Sequence, residues 1–277
     1  MDFITVVFGE ELDLLKTQAK SFDLYAPGCV QTIWVVVNDD PAVMQQIDTS
    51  WWGKFSPSIQ IISRDHLGIP EYGTGWDSQQ LCKLVTASLS TAEHAVIFDA
   101  KTWLVKQLRR SDFIDPVTEQ INVRLNDVQP CFKDGWDYVV DMFGIEDPNI
   151  QLGPAGVPYI MHTRLVRSMV NWIADTQPEG DFIAWFMKYN LYPVFVTEFL
   201  LYSAWVYKNT KYEMCSQRQT WSCINIARGE ESIFNEKYTR MIQPNTLTVS
   251  IHRDALTQLT PEQKTKWKDF LNAKGLS

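Results

Sequence analysis

Four short apolar runs rich in β-branched residues punctuate the first hundred positions, at residues 3–8, 33–37, 59–63 and 95–98. Runs of this length bounded by turn formers read as buried strands. Gly9 stops the first, which is expected at the centre of a sheet, and Asn38-Asp39-Asp40-Pro41 stops the second. Between the strands the period changes. Residues 10–21 place Leu12, Leu15 and Ala19 on one helical face, and residues 76–89 do the same with Leu81, Leu84, Val85 and Ser88. Asp40 is placed to cap a short helix over 41–47. Residues 64–75, with Gly68, Pro70, Gly73 and Gly75, are expected as a long irregular loop of the kind that holds ligands at a sheet edge. Strand alternating with helix in this way predicts an α/β fold whose mostly parallel sheet is covered on both faces.

Beyond Leu108 the alternation breaks down. Residues 111–149 form short amphipathic stretches around Trp136, Tyr138 and Phe143, and 153–158 is a glycine- and proline-rich loop. A strand is expected at 159–161, helices at 163–174, 181–189 and 197–208, and a late strand at 247–251. The chain closes in a helix that Thr260-Pro261-Glu262-Gln263 starts with a cap, a first-position proline and a capping-box amide. No internal repeat is visible.

Composition narrows the function classes. With 277 residues, 45% hydrophobic and 21% charged, the chain is an ordinary globular protein able to bury a large core. Its net charge of −8 argues against a nucleic-acid binder, which needs a basic surface. Eleven Trp, ten Tyr and fourteen Phe supply flat faces that suit sugar rings and bases, and equally fill cores. Cys29, Cys82, Cys131, Cys215 and Cys223 form no CxxC pair, so reduced thiols and a cytoplasmic location are expected. The first residues lack the pattern of a signal peptide, and no apolar run is long enough for a membrane span.

The candidate chemistry lies at strand ends. Asn38 and Asp39 end one predicted strand and Asp99 another, so in a parallel sheet they converge on one edge, where carboxylates accept hydrogen bonds from a base or ribose. Lys101 follows Asp99 by two. Its ammonium repels a cation and suits a diphosphate, or else simply orders Asp99. Trp76, Gln79, Gln80 and Lys83 share one helix face, which is either a surface toward a polar ligand or a polar clamp on the neighbouring loop. Glu198, among apolar neighbours, is either a desolvated general base or a first-turn glutamate favoured by the helix dipole. His252 and Arg253 follow the late strand directly and offer a metal or phosphate contact, with a structural histidine as the alternative. His66, His94 and His162 stand in no such context and receive no role. No GxSxG, HExxH, Walker or GxGxxG pattern is present.

Taken together, Gly75-Trp76-Asp77-Ser78-Gln79-Gln80-Leu81-Cys82-Lys83-Leu84, the strand end Ile97-Phe98-Asp99-Ala100-Lys101, the pair Glu198 and Tyr202, and Ser250-Ile251-His252-Arg253 resemble glycosyltransferases of the GT-A fold. The closer likeness is to a bacterial and phage glycosyltransferase-like group. The resemblance implies one GT-A-like domain over 1–277, with a Rossmann-like central mixed sheet, a nucleotide-binding half (1–108) and an acceptor-side half (109–277). It also implies a nucleotide-sugar donor, a UDP-sugar first, and a carbohydrate or other hydroxyl acceptor. Asp99 would lie near the ribose and diphosphate, and Glu198 would be the base. Such enzymes commonly carry Asp-x-Asp at this strand end and hold manganese or magnesium there. Lys101 stands in the second carboxylate's place, so any cation would rest on Asp99 and His252, and a metal-free clamp of Lys83, Lys101 and Arg253 is the other expectation. The alternatives are a degenerate sugar- or nucleotide-binding protein and a structural or interaction protein on the same fold.

Overall fold

The computed structural model describes residues 1–122, 127–147, 157–211, 213, 215–216 and 222–277. In chain order its strands are β1 (Asp2–Val7), β2 (Ile33–Val37), β3 (Ile59–Ser63), β4 (His94–Asp99), β5 (Thr102–Leu104), β6 (Ile121–Asn122), β7 (Tyr159–His162), β8 (Cys215–Ser216), β9 (Ser222–Ile226) and β10 (Thr246–Ile251). The α-helices are α1 (Leu12–Tyr25), α2 (Gly75–Leu89), α3 (Arg110–Phe113), α4 (Lys133–Met142), α5 (Thr163–Thr176), α6 (Phe182–Tyr189), α7 (Glu198–Thr210), α8 (Phe234–Met241), α9 (Arg253–Gln258) and α10 (Pro261–Ala273).

The main sheet runs β3-β2-β1-β4-β7. Strands β1 to β4 are parallel, and β7 joins the outer side of β4 antiparallel. The fold is therefore α/β with a mostly parallel central sheet, β1 near its middle. Every residue of β1 is buried, which is why the run reads as continuously apolar apart from Asp2 and Thr5. One face carries α1, through Leu15, Ala19 and Phe22 on Phe3 and Phe98. The other carries α2, α5, α6 and α7 around Leu81, Leu84, Val166, Trp185 and Leu200.

Three features differ from expectation. Residues Pro41–Gln46 form a 3-10 rather than an α-helix, although Asp40 caps it by accepting from the Ala42 N–H at 2.8 Å. A 3-10 turn, Asp65–Leu67, interrupts the expected loop 64–75. Strands β5 and β9 sandwich β10 in a second, three-stranded sheet, packed under α8 and α10. The expected loop at 153–158 lies mostly outside the described residues. Among the described residues, no helix is long and apolar enough to cross a membrane.

Candidate functional site

Because β1 to β4 are parallel, their C-terminal ends meet on one edge, and a cleft of about 590 Å³ opens there. Phe8 and Glu10 after β1, Asn38 to Pro41 after β2 and Arg64 after β3 line it, together with Glu71 to Gly75 and Ser78. The start of α2 forms one wall. Thr74 caps this helix, its N–H and hydroxyl both donating to Asp77 Oδ2 at 2.6 and 2.7 Å. Gly75 is required for close approach: a Cβ there would stand 2.7 Å from the Phe8 ring.

The strand-end residues divide into scaffold and rim. Asn38 is buried, and its side chain donates to the Gly75 carbonyl at 3.1 Å and to Ser78 Oγ at 2.9 Å, which ties β2 to α2. Asp39 is exposed on the cleft and accepts from the Gly9 and Asp40 N–H groups at 3.2 and 2.9 Å. Arg64, which the sequence reading passed over, also faces the cleft. Its Nε is buried without a hydrogen-bond partner among the described residues, and Asp65 Oδ1 is 3.9 Å away. The signal was its position: Arg64 follows a strand just as Asn38 does.

At the end of β4 the charges gather. Lys83, from α2, lies 3.0 Å from Asp99 Oδ1 and 3.1 Å from Glu198 Oε1 on α7. Its contact with Glu198 is a hydrogen bond; that with Asp99 is an ion pair poorly directed for one. Lys101 Nζ stands 3.7 Å from Asp99 Oδ2. Burial favours the neutral acid of Asp99, but Lys83 and then Lys101 outweigh it and hold the carboxyl down at about 2. Burial likewise pulls the Lys83 ammonium down, and Asp99 and Glu198 more than reverse this, so it stays charged. Glu198 differs. Its desolvation exceeds what Lys83 returns, and its pKa is raised.

On the helix face expected to meet a ligand or a loop, Gln80 and Lys83 meet the start of α7. Gln80 Oε1 accepts from the Glu198 N–H at 3.3 Å, and its amide donates to the Trp76 carbonyl at 3.2 Å. Thr197 caps α7 by accepting from the Leu200 N–H at 3.4 Å. Gln80 and Lys83 thus fix where α7 begins. Trp76 remains 40% exposed and stacks on Phe195 with centroids 5.1 Å apart. Tyr202, one turn after Glu198, accepts from the His162 N–H at 2.7 Å and fastens α7 to β7.

His252 and Arg253 come to the same edge. The Ile251 N–H donates to the Lys101 carbonyl at 3.3 Å, so β10 delivers His252 beside the β4–β5 turn. Its Nδ1 caps α9 by accepting from the Asp254 N–H at 3.2 Å, and burial with the nearby Lys101 charge lowers its pKa. Arg253 pairs with Glu10. Two further residues were missed. Glu11, close enough to Lys101 and Asp99 to feel their charges, has a pKa raised by burial. Gln18 donates to the Asp99 and Thr102 carbonyls at 2.7 and 2.9 Å and accepts from Thr5 Oγ1 at 2.9 Å, clamping the turn that carries Lys101. Its signal was a lone amide on the apolar stripe of α1, beside Leu15, Ala19 and Phe22.

The donor set at Asp99 does not suit the divalent cation that the fold resemblance implies. Two ammoniums face the carboxylate, neither with a lone pair to give, and both repel a dication. Among the described residues, no two further His, Cys or carboxylate ligands gather with Asp99, His252 included.

A family model matches residues 10–274. The chain belongs to DUF6492, a family of unknown function. No curated protein sequence matches it significantly. Among solved structures this DUF6492 member is similar to the galactosyltransferase LgtC in complex with donor and acceptor sugar analogues, at TM-score 0.44 and 14% identity over 99% of this chain and 95% of that one. It is also similar to mouse xyloside xylosyltransferase 1, at TM-score 0.45 and 8% identity over 92% and 99%. The glycosyltransferase GlyE of Streptococcus pneumoniae TIGR4 matches at TM-score 0.43 and 11% identity over 99% and 64%.

Proposed function

We propose that this protein transfers a sugar from a nucleotide-sugar, a UDP-sugar first among donors, to an acceptor hydroxyl, and that it does so without a divalent cation. The observation that carries this reading is the Asp99 carboxylate held between Lys83 and Lys101 at the C-terminal edge of a parallel sheet, the edge on which the cleft lined by Phe8, Glu10 and Asn38 also opens. Such edges are where α/β proteins bind nucleotides. In this reading Asp39 and Arg64 meet the nucleoside from the cleft, and Asn38 holds the cleft's floor. Lys101, with its side chain 26% exposed, and Arg253 turn toward the diphosphate as negative charge develops on the leaving oxygen. Glu198 acts through Lys83. With its side chain 5% exposed and Oε1 on the ammonium, Glu198 in this reading positions Lys83, and the base role expected from sequence would fall to its other oxygen.

Every cation of the cluster already faces a carboxylate: Lys83 two of them, Lys101 Asp99, and Arg253 Glu10. That pairing favours, as a second reading, a protein that binds the ligand without turnover. Thermal melting against UDP, GDP and CMP, each with manganese and again with EDTA, separates the two when followed by release of sugar from the matching donor. Ligand at about 100 times its dissociation constant stabilises by roughly 2.7 kcal/mol, a readable shift. A shift that survives EDTA and comes with sugar transfer supports the first reading. The same shift without transfer to any acceptor supports the second, and a shift that needs manganese overturns the metal-free site.

A further inference from the structure

At the opposite end of β4, three side chains that the proposed transferase site does not use stand together. The antiparallel register of β4 and β7 sets His94 directly across from His162, with ring centroids 5.1 Å apart. Glu93, one residue before β4, reaches both: its Oε2 lies 3.7 Å from His94 Nδ1, and its Oε1 4.0 Å from His162 Nε2. One ligand atom from each of the three lies within 4.8 Å of the others, and among the described residues this is the one such triad. Both imidazoles are buried, whereas the glutamate is exposed. His162 Nδ1 is buried with no hydrogen-bond partner among the described residues.

From this juxtaposition we infer that Glu93, His94 and His162 form a binding site for a borderline divalent transition-metal ion, zinc foremost, that staples β7 to β4. Two imidazoles and one carboxylate are a ligand set for zinc and not for calcium or magnesium, which take oxygen ligands. A tetrahedral ion with bonds of 2.0–2.1 Å needs ligand atoms about 3.3 Å apart. From at most 4.8 Å, the exposed Glu93 side chain closes on each histidine, and rotation of the two imidazoles brings their nitrogens together. Water takes the fourth position on the solvent side.

Arg110 and the N-terminus lie near His94, and Arg164 and Arg167 near His162. The same cations oppose a dication, though Arg110 is paired with Glu119 at 2.7 Å and Arg167 donates to the Ser90 carbonyl at 2.6 Å. The frame is already rigid. Thr163 bonds the Glu93 and Ala92 carbonyls through its N–H and hydroxyl at 3.0 and 2.6 Å, and the Tyr202 hydroxyl holds the His162 N–H. A metal here lies about one strand length, about 17 Å for six residues, from Asp99, so it takes no part in sugar transfer.

The test uses the full chain, stripped with EDTA and exchanged into chelator-free buffer, titrated with zinc by calorimetry and with cobalt by visible absorption. The expected result is one zinc per chain, a rise in melting temperature, and a tetrahedral cobalt band. Glu93→Gln, His94→Gln and His162→Gln each weaken zinc binding by more than about tenfold. Glu93→Gln alters an exposed side chain and reads the site even if a histidine variant fails to fold. No zinc binding by the wild type, or undiminished binding in Glu93→Gln, overturns the assignment, the latter because the ion then sits on other residues.

Discussion

Strand β4 carries a charged cluster at each end, and the two differ in the kind of nitrogen that faces the carboxylate. At the C-terminal end Asp99 faces the ammoniums of Lys83 and Lys101; at the N-terminal end Glu93 faces the imidazoles of His94 and His162. An ammonium has three hydrogens and no lone pair, so it can neutralise an anion and cannot coordinate a cation. A neutral imidazole keeps a lone pair for a metal. The clusters also differ in construction. Lys83, Asp99 and Glu198 come from α2, β4 and α7, each buried or nearly so, whereas the histidine pair follows from the register of two neighbouring strands and ends in an exposed glutamate. One cluster is therefore part of the core's electrostatics, and the other is an edge to which something can be added. The same strand teaches that residue type at its two ends, more than charge count, decides what each end can hold.

Removing the centre of the first cluster is the largest expected effect. Lys83→Met leaves the buried Glu198 without its counter-charge and Asp99 with Lys101 alone at 3.7 Å, and breaking a buried pair in this way costs about 3–5 kcal/mol. Glu93→Gln at the other end changes an exposed group and is expected to stay within about 0.5 kcal/mol in the absence of metal. Urea unfolding of both variants measures the contrast, and equal losses would break it. Adding Glu198→Gln to Lys83→Met sharpens it. If Glu198 works through Lys83, the double variant loses less than the sum of the singles, in stability and in nucleotide binding.

Next in size is Gln18→Ala. The amide is fully buried and holds the carbonyls of Asp99 and Thr102 and the hydroxyl of Thr5. Stranded buried acceptors cost about 1–3 kcal/mol each, partly relieved by water, so a loss of about 2–4 kcal/mol is expected. Because Gln18 sets the turn between Asp99 and Lys101, the nucleotide-induced rise in melting temperature should fall as well. A stability loss with an unchanged ligand shift would show that the turn holds itself.

Much of this was legible in the chain, for physical reasons that also mark the limit. Strands β1, β2 and β4 are buried almost throughout and so appear as nearly continuous apolar runs, the edge strand β3 shows as Ile59, Ile61 and Ile62 around an exposed Gln60, and α10 declares itself through Thr260, Pro261 and Gln263, whose capping box forms as expected. Parallel order then brings Asn38, Asp39 and Asp99 to one edge without any further information. Strand β5 was not legible because three residues carry no period, and β9, Ser-Cys-Ile-Asn-Ile, becomes a strand only by pairing with β10. Glu198 was readable as a desolvated carboxylate, but not as the partner of Lys83, since nothing local says that α7 starts against α2. His94 and His162 meet only through strand register, which no single segment encodes.

The smallest expected effect is the acid limb of stability, and its sign separates the two carboxylates on Lys83. Asp99 titrates at about 2 in the folded chain against an ordinary 3.8, because the two ammoniums outweigh its burial. A group depressed on folding contributes stability that is complete above the unfolded value and is lost as the pH falls through the folded one. The window is thus from about pH 4 down to about 2, and the contribution is on the order of 2 kcal/mol. Glu198 runs the other way. Its pKa is raised from 4.5 by burial, so the folded state holds the proton more tightly and stability declines as the pH rises through that raised value. Melting curves from pH 2 to 7 should therefore steepen below pH 4 in the wild type and flatten there in Asp99→Asn, while Glu198→Gln should remove the decline above 4.5 and leave the acid limb in place. An unchanged limb in Asp99→Asn would mean that Lys83 does not hold Asp99 in solution, and the contrast between the two ends of β4 would lose its anionic half.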